Sequence, residues 1–385
     1  MAISKTFCPA PFIQLQVSKN GEYGPCCFTS NYWSQKNSTI AEKWNDQKIN
    51  QLRENLLAGK QDTTCSRCWR EELANKQSLR QRYLTFKGMN NLESKVFQKI
   101  VENKAYKNYP RVLQLTPGNE CNLACPSCKP DLSSKWNSMI KQKNYGAFQK
   151  IVKNWNLTNE QYQDIVDNSD KLQKIELFGG EPFLNKKNQT HLLDKLIEKG
   201  TAKNITLYFN TNGTIYNENL LEKLSKHFKF LEIRLSIDGI NNQFEYLRYG
   251  AKFDQVIANA DKFAKLEKSD FECVCTISIF NILYLKDYDN FFSKKGWPVF
   301  YNIANYPSYL EIYNIPEQVK KLIKLDNKFA DVTEFVNNKK CDEKAWNKFV
   351  SYTKILDQNR GQSFGKTFPE FYELVKKYGF DQNTL

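Results

Sequence analysis

The stretch LTPGNECNLACPSCKP, residues 115–130, decides how this chain is read. It sets Cys121, Cys125 and Cys128 within eight positions, at spacing x3 then x2. Structural zinc takes four ligands, and an ordinary cubane iron–sulfur cluster also takes four cysteines. Three thiols on one short loop therefore hold three irons of a cube and leave the fourth open to substrate or cofactor. The bland alternative is a zinc loop completed by a distant cysteine.

Working outward, the loop follows a strand-like RVLQLT, and a repeating strand–helix pattern comes after it. KLQKIELFGGEPFL, ITLYFNTNGT, FLEIRLSIDG, FECVCTISIFN and WPVFYNIA read as strands. NQTHLLDKLIEKG, NENLLEKLSKHF and AKFDQVIANADKFAKLEK between them read as helices. Such alternation predicts parallel βαβ units, in an open doubly wound sheet or a barrel. Beyond about residue 303 the strand signal fades and the pattern turns helical. Residues 1–90 carry short apolar runs and turn signals such as KNGEYGPCC, and a polar, helix-like passage separates them from RVLQLT.

Composition narrows the chemistry. The 385 residues are 41% hydrophobic and 14% aromatic, enough for a packed core. No window approaches the ~18 apolar residues of a membrane span. The start, MAISKTFCPAPF, lacks the apolar run of a secretory signal, so a cytoplasmic protein is expected. The net charge of +14 is spread along the chain instead of gathered in one arm, which argues against nucleic acid as the partner. Eleven cysteines without a secretory signal point to thiolate–metal or redox chemistry, and two histidines leave little room for imidazole sites.

CxxxCxxC at Cys121, Cys125 and Cys128 resembles the signature of the radical S-adenosylmethionine (SAM) enzymes, and companion motifs follow in order. FGGEP supplies Gly179, Gly180, Glu181 and Pro182, similar to the family's GGE motif for the methionyl amino group. FNTNG offers Asn210, Thr211 and Asn212; LSIDG offers Ser236 and Asp238 toward ribose hydroxyls. LRYG supplies Arg248, resembling the basic contact to the SAM carboxylate, and SIFN places Ile279 and Asn281 near adenine. Ser127 stands where the family often has a bulky residue, leaving its backbone to meet adenine. The resemblance implies a partial (β/α)6 TIM-type barrel at 105–303, with a C-terminal helical segment at 304–385. It further implies a [4Fe–4S] cluster, SAM, and an electron donor such as flavodoxin or ferredoxin.

The N-terminal FCPAPF, YGPCC and CSRCWREE resemble the SPASM/twitch elements that hold an auxiliary [4Fe–4S] cluster, here preceding the barrel within 1–90. The implied ligands are Cys8, Cys26, Cys65 and Cys68, with Cys27 the alternate to Cys26, and two clusters are expected in all. A zinc knuckle from the same thiols is the competing reading, and with it a zinc-stapled basic nucleic-acid-binding protein. Cys273 and Cys275 share one face of a strand, as inert core or as hydrogen-atom donors to a substrate radical. Tyr301, Tyr306, Tyr309 and Tyr313 either line a substrate mouth or pack the rim. The resemblance implies hydrogen abstraction from a peptide or protein, or else oxidation of a sugar-like or nucleoside small molecule.

Overall fold

The computed structural model describes residues 4–18, 21–35, 37–73, 77–85, 102, 105–153, 155–184, 186–337 and 339–380. Most of the polar passage expected to be helical after residue 90 lies outside them. The chain forms two compact units, one of Met1–Gly118, Trp155–Phe209 and Leu220–Leu231, the other of Asn119–Asn154, Asn210–Asn219 and Glu232–Leu385.

In the first unit, β1 (Gln14–Val17), β2 (Glu22–Gly24), β3 (Trp33–Ser34), β4 (Val112–Leu115), β5 (Lys174–Leu177) and β6 (Thr206–Thr211) are ordered β3-β2-β1-β4-β5-β6. The sequence places the first sheet strand at RVLQLT. Here β1 precedes it and pairs with β4 in parallel, Gln14 opposite Val112 and Val17 opposite Leu115. The N-terminal segment is thus part of the sheet, because LQV gives three residues that bury fully or nearly so along the edge of β4. β4, β5 and β6 also run parallel, joined by helices, as the expected partial barrel requires.

Pleating separates two faces. Leu113, Leu115, Ile175, Leu177, Leu207 and Phe209 line one of them and are at most 1% exposed. The other carries a polar row in continuous register: Gln16 opposite Gln114, Gln114 opposite Glu176, Glu176 opposite Tyr208. The Gln114 amide donates to Glu176 Oε2 at 2.7 Å, and Lys174 Nζ lies 3.1 Å from Glu176 Oε1.

The second unit holds most of β7 (Phe230–Ser236), then β8 (Ser269–Ile277) and β9 (Val299–Ile303), with β8 and β9 parallel. Ile233, Leu235, Cys273, Cys275 and Ile277 are fully buried. The expected C-terminal helices are present, dominated by Glu343–Arg360, whose Asp342 cap accepts from Lys344 N–H and whose end passes into left-handed Gly361. Phe349 of this helix packs edge-on against Phe280 at 4.9 Å between ring centroids, one contact in a cluster with Phe364 and Phe380.

Candidate cluster sites

Four of the N-terminal thiols surround one space. Cys8, Cys26, Cys65 and Cys68 line an open recess, in which Arg80 is the one charged lining residue among the described residues. Cys8 enters just ahead of the short Ala10–Ile13 helix. Cys26 sits in a turn closed by Thr29, whose hydroxyl donates to Cys26 O at 2.6 Å. Gly24 is required there, since a Cβ would fall 2.8 Å from Thr29 Oγ1. Cys65 and Cys68 come from the join of a 3-10 turn, capped by Asp62, with the Ser66–Leu73 helix. Trp69 fixes that join by donating to Asp62 O at 2.8 Å. Cys27 is exposed and does not line the recess.

Burial pushes these thiols up, Cys8 to about 12. Thiolates here therefore need a cationic partner. Among the described residues, no three Cys, His, Asp or Glu side chains converge closely enough to hold a single ion. Four thiols around one recess are a donor set of the kind that holds a [4Fe–4S] cube or a zinc ion. The residues fit an iron–sulfur cluster.

In the second unit, the loop carrying Cys121, Cys125 and Cys128 is gripped through its carbonyls. Ser134 Oγ donates to Cys121 O at 3.1 Å, Trp136 Nε1 to Cys125 O at 3.1 Å and Gln149 Nε2 to Cys128 O at 3.0 Å. From the Glu343–Arg360 helix, Arg360 donates to Ala124 O at 2.6 Å and Tyr352 to Pro126 O at 3.0 Å. Arg360 is wedged between the rings of Trp136 and Tyr249. Opposite them, Ala124 N–H donates to Tyr249 O, and Gly250, at φ 104°, backs onto the loop where a Cβ would meet Asn122 O at 3.1 Å.

Arg248 and Asp238 are brought together beside this loop. Arg248 Nη2 lies 2.8 Å from Asp238 Oδ2, and its Nη1 lies 3.9 Å from Cys125 Sγ. Burial alone would lower the Arg248 pKa, but Asp238 and Cys125 outweigh it and raise it, so the guanidinium stays charged. Its Nε is buried and has no hydrogen-bond partner among the described residues. A buried cationic donor with an unused N–H suits a carboxylate. Asp238 also accepts from Thr276 N–H at 2.8 Å, and the Asn281 amide is spent on Asp238 O and Thr276 O. Asn281 thus braces Asp238 from within.

Asn212 donates to Asn122 Oδ1 at 3.0 Å and approaches Cys121 Sγ at 3.8 Å, while Asn210 and Ser236 share a 3.1 Å hydrogen bond. Ser127 is exposed within the loop. Gly179, Gly180, Glu181 and Pro182 belong to the first unit and follow β5. Both glycines take positive φ, 72° and 53°, and Glu181 is buried, accepting from Phe183 N–H at 3.2 Å. Cys273 and Cys275 are fully buried on the core face of β8, and burial raises both thiols. Tyr301, Tyr309 and Tyr313 pack on Phe329, Tyr352 and Phe335 respectively, as rim-packing residues do, while Tyr306 is exposed.

Residues 115–290 match the Radical SAM superfamily, and residues 8–69 match SPASM, an iron–sulfur cluster-binding domain. The chain carries a radical SAM domain. Its SPASM domain stands before the radical SAM domain, as the cysteine pattern predicts. Radical SAM proteins take a [4Fe–4S] cluster and SAM, and SPASM domains take further clusters, so this chain's cofactors are those.

The radical SAM cyclopropyl synthase TigE of Paramaledivibacter caminithermalis is 25% identical over 232 residues, 56% of this chain and 46% of that protein. The chain therefore spans about half the length of this curated relative. Among solved structures, native anSMEcpe with bound AdoMet aligns at a TM-score of 0.41 and 21% identity, over 65% of this chain and 60% of that one. Streptococcus suis SuiB bound to precursor peptide SuiA aligns at 0.38 and 16% identity, over 80% and 64%.

The grip on the radical SAM loop escaped the sequence. Tyr352 and Arg360 lie far along the chain in a segment that reads only as helical, Gln149 follows Cys128 by 21 positions, and nothing local marks any of them as loop-holding residues. Arg80 and Glu72 escaped likewise.

Proposed function

We propose that this protein is a radical SAM enzyme that acts on a peptide or protein substrate. With its clusters and SAM bound, reductive cleavage of SAM supplies a 5′-deoxyadenosyl radical that abstracts hydrogen from the substrate. The observation that carries the reading is a loop of three cysteines beside the Arg248–Asp238 pair, whose Arg248 Nε has no hydrogen-bond partner among the described residues.

In this reading Cys121, Cys125 and Cys128 ligate the SAM cluster and leave one iron to SAM. Arg248 faces the SAM carboxylate, and Asp238 both fixes Arg248 and offers a carboxylate to ribose. Glu181, presented by Gly179, Gly180 and Pro182, takes the amino group; Asn210, Asn212, Ser236 and the Ser127 backbone complete the lining. Cys8, Cys26, Cys65 and Cys68 ligate the auxiliary cluster. Cys273 and Cys275 receive no part in hydrogen transfer, since both are enclosed in the β8 core. The functional segments are 1–90, 105–303 and 304–385. The Gln16, Gln114, Glu176 and Tyr208 row supplies donors and acceptors suited to a peptide backbone. A small low-potential protein, flavodoxin or ferredoxin, delivers the electron. No helix among the described residues is long and apolar enough to cross a membrane, and we place the enzyme in the cytoplasm.

The test is anaerobic incubation of reconstituted protein with SAM and dithionite. Formation of 5′-deoxyadenosine that disappears in Cys125→Ala supports the reading. No product, or equal product from both proteins, overturns it.

A further inference from the structure

The mechanism leaves one buried charge in the N-terminal recess without a task. Arg80 is 7% exposed and, among the described residues, is the only charged one lining the space between the four thiols. Its three guanidinium nitrogens are all engaged. Nε and Nη2 fork onto Glu72 Oε1 and Oε2 at 2.9 and 2.6 Å, and Nη1 donates to Phe7 O at 2.8 Å. Phe7 precedes Cys8, and Glu72 is one turn beyond Cys68, so this side chain ties the two cysteine-bearing segments together. The guanidinium also stacks 5.1 Å from the Trp69 ring centroid. A bidentate fork of this kind holds a guanidinium in one place, which a lysine would not do.

With three of its five N–H groups committed to Glu72 and Phe7, Arg80 is held at every nitrogen, and what it offers the recess is position and charge. We propose that Arg80 is a positioning residue that sets the reduction potential of the auxiliary cluster, with Glu72 as its counterweight. The inference rests on the reading that this recess holds an iron–sulfur cluster. A cube on four thiolates is a net anion, and one-electron reduction makes it more so. A fixed cation beside it favours the reduced state and raises the potential, and a nearby carboxylate lowers it. Enclosure strengthens both effects, because a buried charge is little screened.

The sign of the two effects gives the test. Holoenzyme carrying both clusters is titrated with dithionite and redox mediators, with each cluster followed by its EPR signal. Arg80→Gln leaves Glu72 uncompensated and moves the auxiliary midpoint to lower potential. Glu72→Gln removes the counterweight and moves it higher. Arg80→Lys keeps the charge and falls between wild type and Arg80→Gln, while the midpoint of the SAM cluster stays put in all three. A merely structural pair would lose iron in both variants, or shift both midpoints the same way, and either outcome overturns the proposal. So does the absence of any shift with iron retained. Failure of the underlying reading looks different: Cys65→Ser would then lose no iron relative to wild type.

Discussion

The chain holds two sets of cysteines, and each has a largely buried arginine–carboxylate pair at its side. Around the four-thiol recess, Arg80 spends every nitrogen on Glu72 and Phe7 O. Around the three-thiol loop, Arg248 meets Asp238 and Cys125 but, among the described residues, has no partner for Nε. The first site is complete in sulfur, and its arginine is pinned at all three nitrogens. The second lacks a sulfur and has a donor in reserve. Coordination and second-sphere hydrogen bonding therefore agree in each case: closed for holding or relaying electrons, open for binding a molecule that reacts.

Removing one thiol from each set breaks this comparison most directly. Cys125→Ala and Cys65→Ala should each lose about four of about eight irons. The losses differ in consequence: SAM cleavage disappears in Cys125→Ala, and cleavage without substrate survives in Cys65→Ala. Iron analysis with 5′-deoxyadenosine assays on both variants decides it. Loss of all iron from either would mean that the two sites are not independent.

The arginines come next. Leaving Asp238 buried without its cation costs roughly 3–5 kcal/mol. Because Arg248 also faces SAM in the proposed reading, Arg248→Gln should weaken SAM binding by about 100-fold, or ~3 kcal/mol. The readout is the SAM-induced change in the EPR spectrum of the reduced cluster. Arg80→Gln should leave SAM affinity unchanged, and equal weakening by both would erase the contrast.

What the sequence revealed follows the same division. Ligands were legible because cysteines at fixed spacing on one loop are local chemistry, as at Cys121, Cys125 and Cys128. The strands from β4 to β9 were legible from alternating apolar runs and their polar ends. β1 was not assigned to the sheet, since QLQV is four residues long and its pairing with β4 spans about a hundred positions. The grip of Tyr352 and Arg360 on Pro126 O and Ala124 O was invisible for the same reason. A side chain that serves a backbone carbonyl more than two hundred positions away leaves no spacing to read.

That grip sets the next prediction. Tyr352 is fully buried and its hydroxyl holds one carbonyl between Cys125 and Cys128. Tyr352→Phe should cost about 1 kcal/mol in denaturant unfolding. It should also broaden or shift the EPR signal of the SAM cluster alone. A matching change in the auxiliary signal would show that the C-terminal helix serves both sites.

The smallest effect separates the two regions by the sign of their response to pH. Glu72 loses solvation on burial, which would raise its carboxyl, but the Arg80 and Ser78 hydrogen bonds prevail and hold it below its ordinary 4.5. The stability it contributes is present above that value and fades as pH falls through the lowered pKa. Asp357, near the end of the helix that carries Tyr352 and Arg360, is displaced the other way. Desolvation raises it above its ordinary 3.8, although Phe364 N–H, the Tyr246 hydroxyl and Arg360 pull it down. Between 3.8 and that raised value the folded chain keeps a proton that the unfolded chain releases, so this group's contribution declines as pH rises through the window. Hydrogen exchange of the Ser66–Leu73 and Glu343–Arg360 helices, followed from mildly acidic pH downward, should show protection falling in the first and holding or rising in the second. Glu72→Gln should flatten the first trend, and Asp357→Asn the second. Parallel trends in both helices, or trends unmoved by these substitutions, would mean that the two carboxylates are not what tunes their regions.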